Sequence, residues 1–271
     1  MPVCAGMDKT PVIAALENGV LTLMLNRPQR LNAMSNALIE AMNHELARAR
    51  DDADIRCVLL TGLGRGFCAG ADLAGGGTVD SSASAPPDLG ANMDRIFNPM
   101  IRAMRELPKP IVGAINGVAA GGGANLALAC DIVVAARSAR FDQAFVRISL
   151  MPDLGGTFFL PKSVGDARAR GLAMLGSSVP AAEAERMGMI WQTVDDGALM
   201  VEATKLARQL ASGPTLSYAA IKQAINAAAT NTLDQQLDLE RDSQRALGRS
   251  ADFREGVTAF LAKRPAQFTG R

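Results

Sequence analysis

Buried strands alternate with helices along much of the chain, and this alternation limits its possible folds most strongly. Strand, helix and strand recur at residues 111–115, 122–130 and 132–136, where two apolar runs flank a helical pattern that begins with glycine. A similar helix at 35–50 precedes an apolar strand at 57–61. Parallel strands need a crossover of this kind. The pattern therefore predicts an α/β protein with βαβ units and a largely parallel sheet.

The two ends of the chain differ from this central pattern. Alternating residues at 12–16 and 20–25 flank Asn18-Gly19, a pair that favours the turn of a β-hairpin. From residue 198 onward the apolar spacing is helical throughout. We therefore expect a core with the active site at residues 1–197 and a helical cap or assembly region at 198–271. Residues 75–87 have no periodicity, and we expect a mobile loop that covers the active site or merely decorates it.

Charge and composition exclude several classes of function. The 28 basic and 27 acidic side chains among 271 residues leave a formal net charge of +1, which does not favour a nucleic-acid partner. The single histidine excludes a metal site with two histidine ligands. The four cysteines include no CxxC pair, and we expect reduced thiols in or near the core. Without a signal peptide or a membrane-length apolar run, we expect a soluble cytoplasmic protein.

Two glycine-rich segments are the candidates for a ligand site. One covers residues 64–73 after a buried strand, and the other covers residues 116–125 and ends in a helix. Three consecutive glycines at a helix start would let a ligand approach free N–H groups, so this place suits an anion or a developing oxyanion. Tight packing of the helix against a strand explains the same glycines. Neither segment has the spacing of a nucleotide-binding motif.

These two segments also carry a resemblance to a known family. The motifs that share it extend over almost the whole chain: Leu25-Asn26-Arg27-Pro28, Phe67-Cys68-Ala69-Gly70-Ala71-Asp72-Leu73, residues 115–123, residues 130–135, Met151-Pro152-Asp153-Leu154-Gly155-Gly156-Thr157 and residues 255–264. Together they resemble the crotonase (enoyl-CoA hydratase/isomerase) superfamily. The resemblance implies a crotonase spiral of ββα units with a C-terminal helical region for trimerisation, an acyl-CoA substrate and no cofactor or metal.

The resemblance also implies roles for individual residues. The N–H groups of Ala71 and Gly122 would form the oxyanion hole for the thioester oxygen, where two fixed donors stabilise an enolate. A neighbouring subunit would supply the residues at the nucleotide end of CoA, and this implies a homotrimer or a hexamer made of two trimers. The residues implied in binding the substrate or CoA are Arg27, Arg30, Leu31, Ala33, Ala69, Asp72, Leu73, Gly121, Phe260 and Lys263. An ammonium such as that of Lys263 suits a phosphate, although a surface lysine without a ligand is the alternative.

The sequence departs from the hydratases of this superfamily at two positions. Hydratases carry glutamates that activate water where this chain has Asn125 and Phe145, and neither side chain is a general base at neutral pH. Asp153 stands where related isomerases place an acidic catalytic residue. One carboxylate suits a reaction that moves a proton from one carbon to another. Alternatively, Asp153 is interpreted as a turn residue, because Pro-Asp before glycines is common in turns.

Other ionisable residues compete with Asp153 for this role. We interpret Asp72 as a structural part of its loop and Asp131 as a turn residue between a helix and a strand, while Asp142 stays open. The single histidine, His44, lies on the first predicted helix, where we expect a solvent-exposed side chain.

Several segments resemble one group of isomerases within the superfamily, those that convert the ring 1,2-epoxide of phenylacetyl-CoA to an oxepin thioester and that also shift 3-enoyl-CoA double bonds to the 2 position. The alternatives are an enoyl-CoA hydratase, another enoyl- or dienoyl-CoA isomerase, and a non-enzymatic RNA-binding or scaffold protein. RNA-binding homologues are expected to have a lysine-rich helix, and the first predicted helix of this chain is not lysine-rich. The segments that carry the resemblance to these isomerases are residues 65–70, 86–90, 221–226 and 232–242.

Overall fold

The structure is a computed structural model that describes residues 10–73 and 88–271. The predicted loop at 75–87 and Cys4 lie outside these residues. The strands of the described part are β1 (Val12–Glu17), β2 (Val20–Leu25), β3 (Cys57–Gly62), β4 (Gly66–Cys68), β5 (Ile111–Ile115), β6 (Val118–Ala120), β7 (Ile132–Ala136), β8 (Arg140–Asp142), β9 (Ser178–Pro180) and β10 (Gln192–Val194). The helices are α1 (Asn36–Asp51), α2 (Leu89–Asn92), α3 (Asn98–Glu106), α4 (Gly122–Leu128), α5 (Gly156–Val164), α6 (Asp166–Leu175), α7 (Ala181–Arg186), α8 (Leu199–Ser212), α9 (Thr215–Ala227), α10 (Leu233–Leu247) and α11 (Ala251–Leu261).

A six-stranded sheet forms the centre of the molecule in the order β1-β2-β3-β5-β7-β10. The pairs from β2 to β10 are parallel, and β1 pairs with β2 as an antiparallel hairpin. Asn18 and Gly19 take φ angles of 51° and 76°, as the two central residues of the expected turn do. The predicted α/β class, the hairpin and the largely parallel sheet are confirmed.

Helices cover this sheet with small and apolar side chains. The Ser35 hydroxyl caps α1 by accepting a hydrogen bond from the N–H of Leu38 at 3.3 Å, as its sequence predicts. α8 contacts β3 and β5, and every fourth residue between Leu199 and Ala211 on this face is buried. The thiols of Cys57, Cys68 and Cys130 are free and buried, and burial raises the pKa of each to about 12.

A buried ion pair joins α9 to the edge of the core. The Nζ of Lys222 lies 2.8 Å from Asp131 Oδ2, which also accepts the N–H of Ile111, and an Arg105 nitrogen lies 3.8 Å from Asp131 Oδ1. Burial lowers the pKa of Lys222, while the carboxylate of Asp131 opposes that shift. The sequence pattern predicted a turn at Asp131 but not its pairing with Lys222.

The second, smaller sheet positions the candidate site. Its order is β4-β6-β8-β9, with β4, β6 and β8 parallel. Each glycine-rich segment contains one of these strands, β4 or β6, so residues 69–73 and 121–125 leave adjacent parallel strands at the same edge of the sheet. Among the described residues, no helix is both long enough and apolar enough to cross a membrane.

The C-terminal helices α9, α10 and α11 expose many apolar side chains. Phe260 is 83% exposed and Leu261 75%, while Leu233 on α10 is 73% exposed. The helical pattern predicted from residue 198 onward is confirmed. The division into a core at 1–197 and an assembly region at 198–271 stays a prediction.

Candidate active site

The two glycine-rich segments meet backbone to backbone. A Cβ atom on Gly70 would lie 2.8 Å from the carbonyl oxygen of Ala120 and 3.4 Å from the nitrogen of Gly122. A Cβ atom on Gly123 would lie 2.1 Å from the carbonyl oxygen of Cys68. These contacts leave no room for a larger residue at Gly123, so close packing explains part of the glycine content. They also place the Gly122 nitrogen beside the segment that contains Ala71.

Local hydrogen bonds orient the backbone of Ala71. The N–H of Met34 donates to Gly70 O at 2.7 Å, and the N–H of Asp72 donates to Met34 O at 3.1 Å. In a parallel bridge of this kind, the N–H of the intervening residue points away from the partner strand. Within residues 10–73 and 88–271, neither Ala71 N–H nor Gly122 N–H donates to a protein acceptor. Two backbone donors are thus available on neighbouring segments.

An ion pair ties the loop at residues 27–33 to this segment. Arg27 Nη2 lies 2.7 Å from Asp72 Oδ2, and Arg27 Nη1 donates to the carbonyl oxygen of Ala33. Asp72 is only 4% exposed, and its ion pair agrees with the structural interpretation, while its implied role in binding the substrate stays a prediction. The N–H of Ala69 donates to Leu31 O at 2.9 Å, and Leu31 has a positive φ of 48°. The structure therefore brings together five of the residues expected to bind the substrate, and the Arg27 guanidinium is engaged within the protein.

Asp153 lies on a tight turn whose shape the sequence only partly predicts. The N–H of Gly156 donates to the Asp153 carbonyl oxygen at 2.8 Å, and Leu154 and Gly155 have φ angles of 49° and 77°. Positive φ at both central residues defines a type I′ turn, in which leucine is unusual because its Cβ crowds the backbone. A Cβ atom on Gly122 would lie 2.6 Å from Leu154 Cδ1 and 3.4 Å from Asp153 Oδ1. The turn thus places a carboxylate oxygen next to one backbone donor.

The Asp153 carboxylate is electrostatically isolated. Its Oδ1 is buried and has no hydrogen-bond partner in the described part of the chain. Burial raises the pKa of Asp153 to about 6, and only its own backbone N–H opposes this. A carboxyl group with this pKa can accept and return a proton near neutral pH.

The rival carboxylates are occupied by other groups. Asp72 pairs with Arg27, and Asp131 pairs with Lys222. Asp142 lies 3.1 Å from Arg140 Nε and accepts the hydroxyl of Ser178. The side chain of His44 is 76% exposed, as expected. Of the four candidate aspartates, Asp153 alone has a buried oxygen without a partner within the residues that the structure describes.

The two positions at which hydratases carry glutamates have different surroundings. Phe145 is buried, and its ring lies 3.8 Å from the Cβ that Gly121 would carry. Asn125 is fully buried; its Nδ2 donates to Asp153 O at 2.8 Å, and its Oδ1 accepts from Gln143 Nε2 at 3.1 Å. The residue type of Asn125 shows that it is no base, but the sequence did not predict these hydrogen bonds. No local sequence signal links Asn125 to Gln143.

The remaining predicted site residues lie at the periphery. Arg30 and Leu73 are exposed, and Leu73 is the last residue described before the gap at 74–87. Phe260 lines a cavity of about 450 Å³ formed by α9, α10, α11 and the C-terminal segment, which includes no residue of the two glycine-rich segments. Lys263 follows α11 with a positive φ of 51°. Among the described residues, no group of histidine, cysteine and acidic side chains could bind a metal ion.

Comparison with known proteins assigns this arrangement to a family. The family model "Enoyl-CoA hydratase/isomerase" matches residues 15–271. The chain belongs to this family, the crotonase superfamily, and has the crotonase fold.

Individual relatives cover nearly the whole chain. It is 55% identical to the 1,2-epoxyphenylacetyl-CoA isomerase of Escherichia coli over 96% of this chain and 98% of that protein. It is 35% identical to the 2,3-dehydroadipyl-CoA hydratase of the same organism over 96% and 99%. The crystal structure of an enoyl-CoA hydratase from Bacillus anthracis matches with a TM-score of 0.89 at 30% identity, covering 96% of this chain and all of that one.

Proposed function

We propose that the protein is an acyl-CoA isomerase that converts ring 1,2-epoxyphenylacetyl-CoA to oxepin-CoA and also moves the double bond of 3-enoyl-CoA to the 2 position. One observation carries this proposal: Asp153 has a buried carboxylate oxygen without a partner in the described part of the chain, and this oxygen lies beside Gly122. The N–H of Gly122 is one of the two backbone donors that have no protein acceptor among the described residues. The 55% identity with an isomerase of that name supports the choice of substrate.

The proposed mechanism uses the protein groups alone. The thioester oxygen accepts hydrogen bonds from the N–H groups of Ala71 and Gly122, which stabilise the enolate as Asp153 removes the proton next to the thioester. For the epoxide substrate, the electron shift then opens the strained ring, and Asp153 returns the proton. For 3-enoyl-CoA, the proton leaves C2 and returns to C4. Atoms are conserved in both reactions, so neither needs water or an oxidant.

The surroundings of Asp153 oppose the hydratase alternative. Hydration requires a group that orients and activates water beside the double bond. Phe145 has no polar atom, and both ends of the Asn125 amide are already bonded to the protein. A proton shuttle with one carboxylate is the chemistry that these groups support.

We also propose that the site is completed in a homotrimer, with trimers paired into hexamers. Phe260 and Lys263 of a neighbouring subunit would then reach the nucleotide end of CoA. Exposed apolar side chains on α10 and α11 support burial in an assembly. A second apolar groove of about 380 Å³, lined by Leu150, Met151 and Met174 among others, offers further contact area. A solution mass of one chain would contradict this assembly.

One experiment separates the candidate functions. The protein is incubated with 1,2-epoxyphenylacetyl-CoA, a 3-enoyl-CoA and a 2-enoyl-CoA, and the products are identified by mass and absorbance. We expect isomerisation of the first two without a change in mass, and a loss of at least 100-fold in kcat for Asp153→Asn. A gain of one water on the 2-enoyl-CoA would instead support a hydratase. Retention on RNA without acyl-CoA binding would support the non-enzymatic alternative.

A further inference from the structure

Helix α4 contacts both halves of the proposed machinery. Its first residue, Gly122, supplies a backbone donor. Asn125 follows three residues later and therefore lies on the same side of the helix, where its side chain donates to the carbonyl oxygen of Asp153. One turn of α4 therefore links Gly122, the proposed oxyanion-hole donor, with Asp153, the proposed base. We propose that Asn125, anchored by Gln143, is a positioning residue that fixes Asp153 relative to Gly122; this inference rests on the proposed function.

The turn that carries Asp153 needs an external support. Leu154 occupies the left-handed region of φ, which is unfavourable for leucine, and only glycine, asparagine and aspartate adopt it readily. The bond from the N–H of Gly156 closes the turn from within. The bond from Asn125 Nδ2 is the second one to the same carbonyl oxygen and comes from a different element. Asn125 therefore ties the strained turn to α4.

Asn125 itself has little freedom to move. Its Oδ1 accepts a hydrogen bond from Nε2 of Gln143. The backbone N–H of Gln143 in turn donates to the carbonyl oxygen of Ser177 at 3.0 Å. A Cβ atom on Gly156 would lie only 2.2 Å from Asn125 Nδ2, so the turn packs directly on the amide. Because Nδ2 must donate to the carbonyl oxygen of Asp153, the amide cannot be reversed without losing both bonds.

The amide pair is better suited to fixing geometry than to adding stability. Gln143 is 1% exposed, and its Oε1 is buried without a partner in the described part of the chain. A buried acceptor left unpaired destabilises the folded state. Two apolar side chains of similar shape would fill the same space without this penalty. Because the Asn125–Gln143 pair carries this penalty, we assign its benefit to the hydrogen bond between Asn125 and Asp153 rather than to stability.

The test replaces Asn125 by leucine, which is similar in size but has no polar atoms. We expect kcat to fall about 10- to 100-fold with KM for the acyl-CoA within twofold, because the base is displaced while the thioester contacts remain. The acid limb of the kcat–pH profile should move to lower pH, since a loosened turn admits water to the carboxyl group. Burial alone raises the pKa of Asp153, so this limb reports its environment.

Three further variants separate positioning from stability. Asn125→Leu combined with Gln143→Leu should regain the thermal stability that the single change loses, but neither kcat nor the pH profile. Thr193→Val removes another buried oxygen without a partner, on β10, and should leave both kinetic readouts unchanged. If Asn125→Leu does not fold, Gln143→Met replaces it as the test of the positioning role. We then expect a smaller shift of the acid limb of the kcat–pH profile, again to lower pH.

The outcomes against the proposal are distinct from failure of the proposed function. Unchanged kcat and pH profile in Asn125→Leu, recovery of both in the double variant, or an unchanged profile in Gln143→Met would overturn the positioning role. Asp153→Asn is measured alongside. Wild-type isomerisation by that variant would refute the proposed mechanism itself, whereas an inactive Asp153→Asn with an unaffected Asn125→Leu refutes only the positioning role.

Discussion

Replacing Asp153 by asparagine should make the protein more stable at neutral pH while it removes the proposed base. Burial raises the pKa of Asp153 from 3.8 to about 6. Below pH 3.8 the carboxyl group is protonated in the folded and the unfolded chain, so ionisation contributes nothing to their difference. Between the two pKa values only the unfolded chain has lost the proton, and the free energy of unfolding therefore falls as the pH rises. Above pH 6 both states are ionised, and the loss is complete.

The size of the effect follows from the two pKa values. Because a tenfold change in an ionisation constant corresponds to about 1.4 kcal/mol, moving the pKa from 3.8 to about 6 corresponds to roughly 3 kcal/mol. Asparagine does not titrate in this range. We therefore expect the advantage of Asp153→Asn in free energy of unfolding to grow by about 2 kcal/mol between pH 4.5 and pH 7.5.

Urea denaturation of both proteins at one protein concentration and several pH values measures this gap. Glu255→Gln is the control, because Arg264 and the N–H of Gln267 lower the pKa of Glu255 to about 2. Its stability contribution is lost only as the pH falls below 4.5 and towards 2, so its gap to the wild type should be flat between pH 5 and pH 8. A flat gap for Asp153→Asn would refute the argument that its carboxyl group is buried without a partner.

Three further substitutions test the architecture around the site. Gly122→Ala should lower kcat/KM about 10²- to 10³-fold in steady-state assays, because its Cβ would lie 2.6 Å from the side chain of Leu154 and displace the N–H donor; wild-type kinetics would contradict this. Gly123→Ala should prevent soluble expression, since its Cβ would meet a backbone carbonyl at 2.1 Å. Lys222→Met should lower the free energy of unfolding by about 2 to 4 kcal/mol, because it removes the nearest cation from Asp131. Its kcat per folded molecule should equal that of the wild type, and a reduced kcat would show that the ion pair also acts on the site.

Sequence patterns predicted the features that local chemistry determines. Asn18-Gly19 marked the hairpin because few other pairs adopt positive φ at both positions, and Ser35 marked the start of α1 by its capping hydroxyl. The close approach of the two glycine-rich segments was implied by the family resemblance, because the three consecutive glycines alone also suit tight packing of a helix against a strand.

Features that depend on distant residues escaped prediction. Lys222 and Asp131 are 91 positions apart, and Asn125 meets Asp153 across 28. No short-range periodicity encodes such pairs. The left-handed backbone at Leu154 was equally invisible, because leucine is rare in that region of φ and its side chain packs against Gly122, which is distant in sequence.

The two N–H donors follow neighbouring parallel strands, β4 and β6, so their separation is set by the spacing of about 4.8 Å between strands of one sheet. No side chain has to be chosen for this part of the site, and side chains around it can be exchanged without dismantling it. Under the proposed function, this would account for a 55% identical isomerase and a 35% identical hydratase among the relatives of one chain. Under the proposed function, the main chain at this sheet edge would serve protein engineering as a reusable platform for thioester enolates, on which new reactions can be sought by varying side chains alone.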